Sequence, residues 1–401
     1  MLSTIERLKM LKIDMTIVFI LLLIAPIFGQ QDTSVVQDAI YDRPFITSDF
    51  PVALGGYLEG NTNYFSEDGV SEGFSMEFRR FNIFLYSTII PRVRFFAELE
   101  FEHGTEEIAI ETAQVEFEFL QALVFRAGII IVPIGAYNVN HDPPKYEFVE
   151  RPLEATQIIP STLSDIGFGF NGKIFWNNLL FTYDAYLVNG LSDGIILNDQ
   201  GRTFLESGKS EERFAEDNNG SPTFSGRLAV KSLNFGELGI SYYRGIYNSF
   251  QIEGEIVDAK RNIEIAAIDF NTKIEKLIIQ GELALNSIDV PKDISEIFGT
   301  KQWGGYVDIV YPIIQANILG FDNSVINLAV RLERVDYNVG EFAETGKNIY
   351  DDINGLSFAI NFHPSPGTVL KANFIHFWSR DALGNPTVKT AGFQFGIATY
   401  F

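Results

Sequence analysis

The sequence of 401 residues contains no cysteine, and it has only four histidines. The lack of cysteine excludes disulfide bridges, a thiol nucleophile and cysteine metal sites. His103, His141, His363 and His376 are scattered; they lack the His-x-x-x-His spacing of a metal site, and the chain has no serine in an elbow motif. We therefore expect no catalytic residues, no metal and no cofactor, and predict that the protein is not an enzyme.

Basic residues are also few. The chain has 30 Lys and Arg against 52 Asp and Glu, with a formal net charge of −22. Proteins that bind nucleic acid neutralise its phosphates with clustered Lys and Arg. We therefore expect no nucleic-acid partner.

Long apolar runs are absent except near the N-terminus. There, Arg7, Lys9 and Lys12 precede a short apolar stretch at 17–25, and Gly29 follows it. This pattern predicts a secretory signal peptide over residues 1–29, with an uncleaved anchor as the alternative. The apolar stretch is too short for a transmembrane helix of about 20 residues. An exported chain without such a helix is periplasmic, secreted or an outer-membrane β-barrel.

From residue 52 onward, apolar side chains recur at every second position, which is the period of a β-strand with one apolar and one polar face. In the last segment, Phe393, Phe395, Ile397 and Phe401 share a face, and small or polar residues occupy the other. Sixteen such segments are predicted as strands, each long enough to cross the hydrocarbon core of a membrane. They are 52–65, 74–87, 92–103, 108–119, 123–132, 165–175, 179–189, 223–233, 237–248, 261–272, 277–287, 301–312, 323–336, 351–362, 368–379 and 389–401.

The connections between these strands alternate in length. Every second one is short, such as 176–178, whereas most of the others are longer and polar, notably 133–164 and 190–222. Short turns at one rim and long loops at the other are typical of an all-β transmembrane antiparallel barrel of about 16 strands. The predicted organisation is a periplasmic lead-in at 30–51 and an outer-membrane barrel at 52–401.

Two features depart from this pattern. The connection 313–322 is longer and more apolar than a turn should be. In the tenth predicted strand, Ile263 and Ile265 lie on one face, but Ile268 and Phe270 lie on the other. A β-bulge or a miscounted strand would explain the change of face.

The terminal residue, Phe401, predicts the location of the protein. A barrel in a membrane closes its last strand against its first, so that no strand edge is left in lipid. The ending resembles the C-terminal signal that the outer-membrane insertion machinery of diderm (Gram-negative) bacteria reads, although Thr399 stands where an apolar residue is usual. We therefore expect the bacterial outer membrane as the location. The expected partners are its lipid and lipopolysaccharide and, during insertion, the barrel-assembly machinery.

The most specific local pattern lies in the stretch 126–174. It contains Arg126-Ala127-Gly128, Val132-Pro133-Ile134-Gly135, His141-Asp142-Pro143-Pro144, Arg151-Pro152 and Asp165-Ile166-Gly167-Phe168-Gly169. This arrangement resembles the phosphate-selective porin O and P family. The resemblance implies a trimeric barrel of sixteen strands whose third long loop, here 133–164, folds inward and narrows the pore.

The basic content departs from that family, whose pores are lined with arginines. Removing residues 1–29 takes away three of the 30 basic and two of the 52 acidic residues, which leaves 27 against 50. We therefore keep the family's architecture but do not carry over its phosphate selectivity.

The phase of the strands predicts which charged residues face the pore. The transverse field of opposite charges across a constriction would orient polar solutes. In the alternative, these charges only pair between adjacent strands and keep the interior wet. Arg79 is left out, because it and its neighbour both point inward only if a bulge separates them. The wall candidates are Arg80, Arg92, Arg94, Arg126, Lys173, Arg331, Glu98 and Glu100, and the loop candidates are Asp142, Glu147, Glu150 and Glu154.

The sequence thus predicts a porin for passive diffusion of small hydrophilic solutes or ions, neutral to cation-leaning. One alternative is a barrel that conducts nothing and acts as an adhesin or binding protein. A second is an anion- or phosphate-selective porin, as in the family that the chain resembles.

Overall fold

The computed structural model describes residues 52–209, 214 and 216–401. The predicted signal peptide at 1–29 and the lead-in at 30–51 lie outside the described residues. Within the described part of the chain, no helix is long and apolar enough to cross a membrane.

Sixteen strands form one closed antiparallel barrel, which confirms the predicted fold class. Two further strands, of two residues each, pair only with one another in a hairpin between the ninth and tenth barrel strands. In chain order the strands are β1 (Val52–Glu67), β2 (Val70–Ile90), β3 (Val93–Glu102), β4 (Glu107–Leu120), β5 (Leu123–Ile131), β6 (Ser164–Trp176), β7 (Leu179–Val188), β8 (Thr223–Ser232), β9 (Gly236–Ile246), the hairpin strands β10 (Gln251–Ile252) and β11 (Glu255–Ile256), β12 (Asn262–Ile274), β13 (Leu277–Ile288), β14 (Lys301–Ile318), β15 (Phe321–Asp336), β16 (Asp352–Ser365), β17 (Thr368–Arg380) and β18 (Val388–Tyr400).

Each barrel strand pairs with its neighbours along the chain, and β18 pairs with β1 to close the sheet. The closing seam runs from Tyr57 opposite Tyr400 to Glu67 opposite Thr390. Because successive side chains of a strand point to opposite faces, each strand has an inner and an outer side. In β8, for example, Ser225 is buried inside, whereas Phe224 is exposed on the outer face. Because β18 pairs with β1, the sheet has no unpaired strand edge.

The unusual connection 313–322 is not a loop. β14 continues to Ile318 and β15 begins at Phe321, so Leu319 and Gly320 alone form the turn, both with positive φ angles. The segment is apolar because it belongs to the strands, where Ile313 and Ile314 are exposed. The predicted strand end at 312 was thus several residues too early. We call the rim with this and the other tight turns the short-turn rim, and the opposite one the long-loop rim.

The change of face in the tenth barrel strand, β12, has a different cause from the one predicted. β12 pairs with both β9 and β13 without any shift of register, so it contains no bulge and is not miscounted. Ile263 and Ile265 point into the barrel and are fully buried there, while Ile268 is exposed on the outer face. The inner face is apolar at this height because loop segments from the long-loop rim cover it.

One of these segments, residues 189–209, is called the strap here. Its Leu191, Ile195 and Leu205 are buried in an apolar core inside the barrel. The wall residues of this core come from β5, β7, β9, β12, β13 and β15. The strap thus fills part of the long-loop half of the interior.

Polar contacts hold the strap on the far side of this core. The Gln302 side chain donates a 2.8 Å hydrogen bond to the Thr203 carbonyl. Arg202 donates to Asp351 at 3.0 Å, and its guanidinium lies 3.9 Å from the centre of the Tyr337 ring. Because these partners lie on or beside β14–β16, the strap spans from the end of β7 to the opposite part of the wall.

Candidate functional site

The candidate site is the segment 132–163 between β5 and β6, called the inner loop here. Asn138 ties its two ends together. The Asn138 amide donates to the carbonyls of Val132 (2.8 Å) and Leu163 (3.1 Å), and its oxygen accepts from the Leu163 N–H (2.8 Å). All three bonds are buried. The loop is therefore closed at its base by one side chain, and the rest of it extends into the barrel.

The first part of the inner loop is fixed to the wall by Glu282 of β13. The Glu282 carboxylate accepts hydrogen bonds from the N–H groups of Ala136 (2.6 Å) and Tyr137 (3.1 Å) at the start of the short helix Ala136–Val139. Gly135 precedes this helix with a φ of 70°, and a Cβ there would lie 1.9 Å from the carboxylate oxygen Oε1. Glycine is therefore required at 135, both for the left-handed backbone and for the approach of Glu282.

The next part is held by wall residues near the strand seam. His141 Nε2 lies 2.5 Å from Oε1 of Glu111, which is on β4. Asp142 accepts a 2.7 Å hydrogen bond from the Tyr400 hydroxyl on β18. The buried Lys371 ammonium donates to the Pro143 carbonyl at 3.0 Å. Contacts to β4, β17 and β18 show that the loop crosses the interior from its origin at β5.

Glu147 is enclosed by three polar side chains of the wall. Its carboxylate accepts from the amides of Asn327 (2.7 Å) and Asn361 (2.6 Å) and lies 3.2 Å from His363 Nε2. Burial by itself raises the pKa of Glu147, but the contact with His363 and the two amide donors outweigh it and lower that pKa. Glu147 is therefore an ionised anchor at neutral pH.

Glu150 is held by three wall side chains, two at its carboxylate and one at its backbone carbonyl. Arg79 donates to the Glu150 carboxylate at 2.8 Å, and Gln394 does so at 2.6 Å. Burial opposes ionisation of Glu150, but the charge of Arg79 outweighs it and lowers the pKa of the carboxyl. Arg331 donates to the Glu150 carbonyl at 2.8 Å and to both oxygens of Asp308 at 2.7 and 2.8 Å.

The last part of the loop returns along β13 and β15. The Leu153 N–H donates to Glu333 at 2.7 Å, and Asn286 donates to the Ile158 carbonyl at 2.9 Å. Glu154 is fully buried beside Glu282, and burial and this second carboxylate raise its pKa well above the ordinary value. The inner loop therefore contacts wall residues around most of the circumference of the barrel and extends across its interior.

The predicted wall residues lie mainly on the inner face, in ion pairs. Arg80 contacts Glu59, Glu100 and Glu102 at 2.6–3.4 Å, and Arg126 lies 2.6 Å from Glu116. Further contacts of the predicted set are as follows: Arg94 with Glu116 and Glu118, Glu98 and Glu100 with the Asn82 amide, and Arg331 with Asp308. Lys173 is half-buried on β6. These carboxylates neutralise most of the inward arginine charge locally.

Arg92 does not lie on the inner face, contrary to the prediction. It is exposed in the turn between β2 and β3, with a φ of 70°, and it donates to the Phe119 carbonyl at 3.4 Å. The predicted strand started one residue too early, because the turn residue before β3 continues the alternating pattern without belonging to the sheet.

Arg79 is a pore-facing residue that the sequence prediction left out. The register of β1 and β2 shifts between Glu59 and Gly60, so that Arg80 is opposite Glu59 and Phe78 is opposite Gly60. Arg79 is the additional residue of this bulge, and both arginines therefore point inward. The signal for this bulge in the sequence was the pair of adjacent arginines. Two adjacent residues of a strand point to the same face only where a bulge separates them.

A patch of acidic side chains lines the part of the barrel wall that is not covered by the strap and its apolar core. It comprises Glu77, Glu100 and Glu102 of β2 and β3, together with Glu150 of the inner loop, and we call it the acidic patch. Their side chains are 12–33% exposed, so they remain accessible to solvent in the interior. The arginines beside them are Arg79 and Arg80, and the Nδ1 atom of His103 lies 3.0 Å from the Glu77 carboxylate.

Phe401 completes the strand seam. Its N–H donates to the Gly56 carbonyl at 3.0 Å, and the Gly56 N–H donates back at 3.2 Å. The ring stacks on Phe81, with 5.5 Å between centroids, and a Cβ on Gly56 would lie 2.6 Å from it. The hydroxyl of Thr399 lies 2.8 Å from that of Thr368 on β17, which accounts for a polar residue at this position.

We expect Phe401→Ala to destabilise the barrel by about 1–2 kcal/mol, because it removes this stacking and opens the seam. The estimate lies below the roughly 3–5 kcal/mol of a fully buried Phe, since 40% of Phe401 is exposed. Urea unfolding in detergent, followed by the loss of gel heat-modifiability, measures the effect. Phe358→Ala, at a 46% exposed position on β16, two strands away from β18, is the matched control. Equal loss in both variants would contradict a special role of the seam.

No family model matches this chain. A protein of Aquifex aeolicus (strain VF5), described as uncharacterized, is 24% identical over 366 residues, which cover 85% of this chain and 79% of that protein. Solved structures with a similar fold include two porins. OmpF of Salmonella typhi, in complex with daunomycin, has a TM-score of 0.55 at 9% identity and covers 89% of this chain and 100% of OmpF. An anion-selective porin from Comamonas acidovorans has a TM-score of 0.54 at 11% identity and covers 87% and 99%. At these identities, the likeness shows that the chain has the barrel fold of outer-membrane porins.

Proposed function

We propose that this chain is an outer-membrane porin that lets small hydrophilic solutes and ions diffuse passively, without catalysis or a cofactor. The observation that carries the proposal is the inner loop, which charged and amide side chains hold across the interior of a closed barrel. A loop fixed across the interior in this way makes a constriction that selects solutes by size and charge. The similarity to solved porins supports the proposal through the fold alone.

The balance of interior charges supports neutral to cation-leaning selectivity. The accessible acidic patch contains four carboxylates beside only two arginines, Arg79 and Arg80, and therefore has a surplus of negative charge. Elsewhere, Arg126 and Arg331 are each paired with a carboxylate. An accessible surplus of one charge raises the local concentration of the opposite ion. This arrangement speaks against an arginine-lined anion or phosphate pathway, although one similar structure is an anion-selective porin.

A salt gradient across a planar bilayer tests this proposal. In a tenfold KCl gradient, an ideally cation-selective pore gives a reversal potential of about 59 mV, and a neutral pore gives zero. We expect a potential of cationic sign, roughly 10–30 mV, because the arginines offset part of the acidic charge. A clear anionic sign would contradict the proposed selectivity, while leaving a porin in place.

A specific observation favours one alternative, a barrel that conducts nothing and binds a partner through its long-loop rim. The strap and the inner loop share a dry core in the long-loop half of the interior. If that core closes the pore completely, folded protein will insert into bilayers without discrete conductance steps. Such silence, in protein that is heat-modifiable on gels, would support the binding role over the porin.

We also propose that the export signal, the insertion route and the oligomeric state are those expected from the sequence. Residues 1–29 act as a cleaved signal peptide, 30–51 form a periplasmic lead-in, and the loop 133–164 forms the constriction. The barrel-assembly machinery inserts the chain through its Phe401 signal among outer-membrane lipid and lipopolysaccharide. The family that the sequence resembles supports a homotrimer. N-terminal sequencing of the exported protein and native electrophoresis before and after heating test the cleavage and the trimer.

A further inference from the structure

A cavity of about 220 Å³ lies between the inner loop and the wall. None of the contacts described above that hold the inner loop depends on this cavity. The loop side is formed around Tyr137 and Tyr146, and the wall side around Asn271, Gln280 and Tyr306. Asn271 and Gln280 lie near the short-turn ends of β12 and β13. The cavity is therefore on the face of the inner loop that is directed toward the short-turn rim.

The cavity has an aromatic side. The rings of Tyr137 and Tyr146 are 4.7 Å apart and tilted, and the ring of Tyr306 lies edge-on to Tyr137 at 6.5 Å. The Tyr146 hydroxyl donates to the Asn140 carbonyl at 2.5 Å, which fixes this ring relative to the loop backbone. The three rings form a rigid surface, since each is nearly buried in the wall or loop.

The other lining groups are amides, and the cavity is close to neutral. Asn140, Asn271 and Gln280 each carry a carbonyl acceptor and an NH₂ donor. Asn271 donates to Gln280 and Gln280 donates to Asp308, both over a long 3.4 Å, so that a solute hydroxyl can replace either contact. Among the lining residues, Lys145 alone is charged. Its ammonium lies 3.2 Å from Asp142 and donates to the Asn140 side-chain oxygen, so its charge is balanced locally.

We propose that this cavity is a subsite for a neutral polyhydroxylated solute of monosaccharide size; the proposal rests on the porin function. Aromatic faces suit the C–H faces of a sugar ring, and amides match hydroxyl groups, which also both donate and accept. The volume lies below the roughly 300–1,000 Å³ of sites for drug-sized ligands, which limits the solute to about one sugar ring. The balanced charge favours a neutral solute over an ion.

The test uses glucose in planar bilayers containing the full barrel in KCl. We expect glucose to lower the single-channel conductance with saturation, beyond the shared effect of viscosity. Gln280→Ala and Asn271→Ala should each raise the half-blocking concentration roughly two- to tenfold, which corresponds to the loss of one hydrogen bond. Gln315→Ala, which removes an exposed amide elsewhere on the short-turn side, should leave it unchanged.

Calorimetric titration of detergent-solubilised protein with glucose separates the subsite from the porin function. A conducting channel with linear, variant-independent loss of conductance, and no binding heat, overturns the subsite and leaves the porin. A silent barrel that binds glucose, with weaker binding in both variants, keeps the subsite and overturns the porin. Saturable block by choline or phosphate instead of glucose would overturn the neutral-solute assignment.

Discussion

Arg331→Ala should destabilise the barrel by about 3–5 kcal/mol, the loss typical of leaving one member of a buried ion pair without its partner. The Arg331 side chain is 2% exposed and that of Asp308 is 1% exposed, and two hydrogen bonds of 2.7 and 2.8 Å join them. The substitution also removes the donor to the Glu150 carbonyl and the cation that stands 4.4 Å from the Phe148 ring. Urea unfolding in detergent measures the loss.

The matched control is Arg244→Ala. Arg244 pairs with Glu264 at 3.3 Å, but its side chain is 56% exposed, and such pairs contribute about 0–1 kcal/mol. A double variant, Arg331→Ala with Asp308→Ala, should recover part of the stability, since no buried charge then remains alone. Equal losses for Arg331→Ala and Arg244→Ala would show that the interior pair is as well hydrated as a surface pair.

The second large effect concerns ion selectivity. The combined variant Glu77→Gln, Glu100→Gln and Glu102→Gln should reduce a cationic reversal potential by at least half. The reason is that the remaining carboxylates, Glu150 beside Arg79 and Glu59 beside Arg80, only balance the two arginines, so that this part of the wall loses its surplus of negative charge. The difference from wild type should shrink in concentrated salt, because the screening length falls from about 10 Å at 0.1 M to about 3 Å at 1 M.

A second triple variant provides the control for this effect. Glu253, Glu264 and Glu275 lie in the small hairpin, on the outer side of β12 and in a short turn, all away from the inner face. Their replacement by Gln removes the same number of charges and should leave the reversal potential near the wild-type value. If both triple variants shift it equally, net charge and not the acidic patch determines the selectivity.

The strand layout could be predicted from the sequence because it depends on local alternation. An outer face in lipid and a polar inner face give each strand a period of two, which ten or more residues reveal without knowledge of their neighbours. The bounds at Val52, Leu123 and Leu179 agree with the structure to the residue. Where an apolar strand had no polar side to mark it, as at Ile313 and Ile314, the predicted end was wrong.

The inward residues were predictable only where the register was regular. The bulge at Arg79 depends on the pairing of β2 with β1, and a single strand does not reveal its partner's register. Likewise, Ile263 and Ile265 contradict the rule of a polar interior because the strap, more than fifty residues earlier in the chain, covers them. Contacts between distant segments leave no periodic signal in either segment.

By itself, therefore, the sequence determined the sixteen strands, the alternation of short and long connections, and the position of the long connection 133–164. These follow from chain-local hydrophobic periodicity and turn chemistry, whereas the inward folding of that connection was implied only by the family resemblance. Only the tertiary structure decided which loop side chains meet which wall residues, that Arg79 and Arg80 share the interior, and that a strap fills part of it. Those features arise from packing across the barrel, where residues far apart in the chain compete for the same enclosed volume.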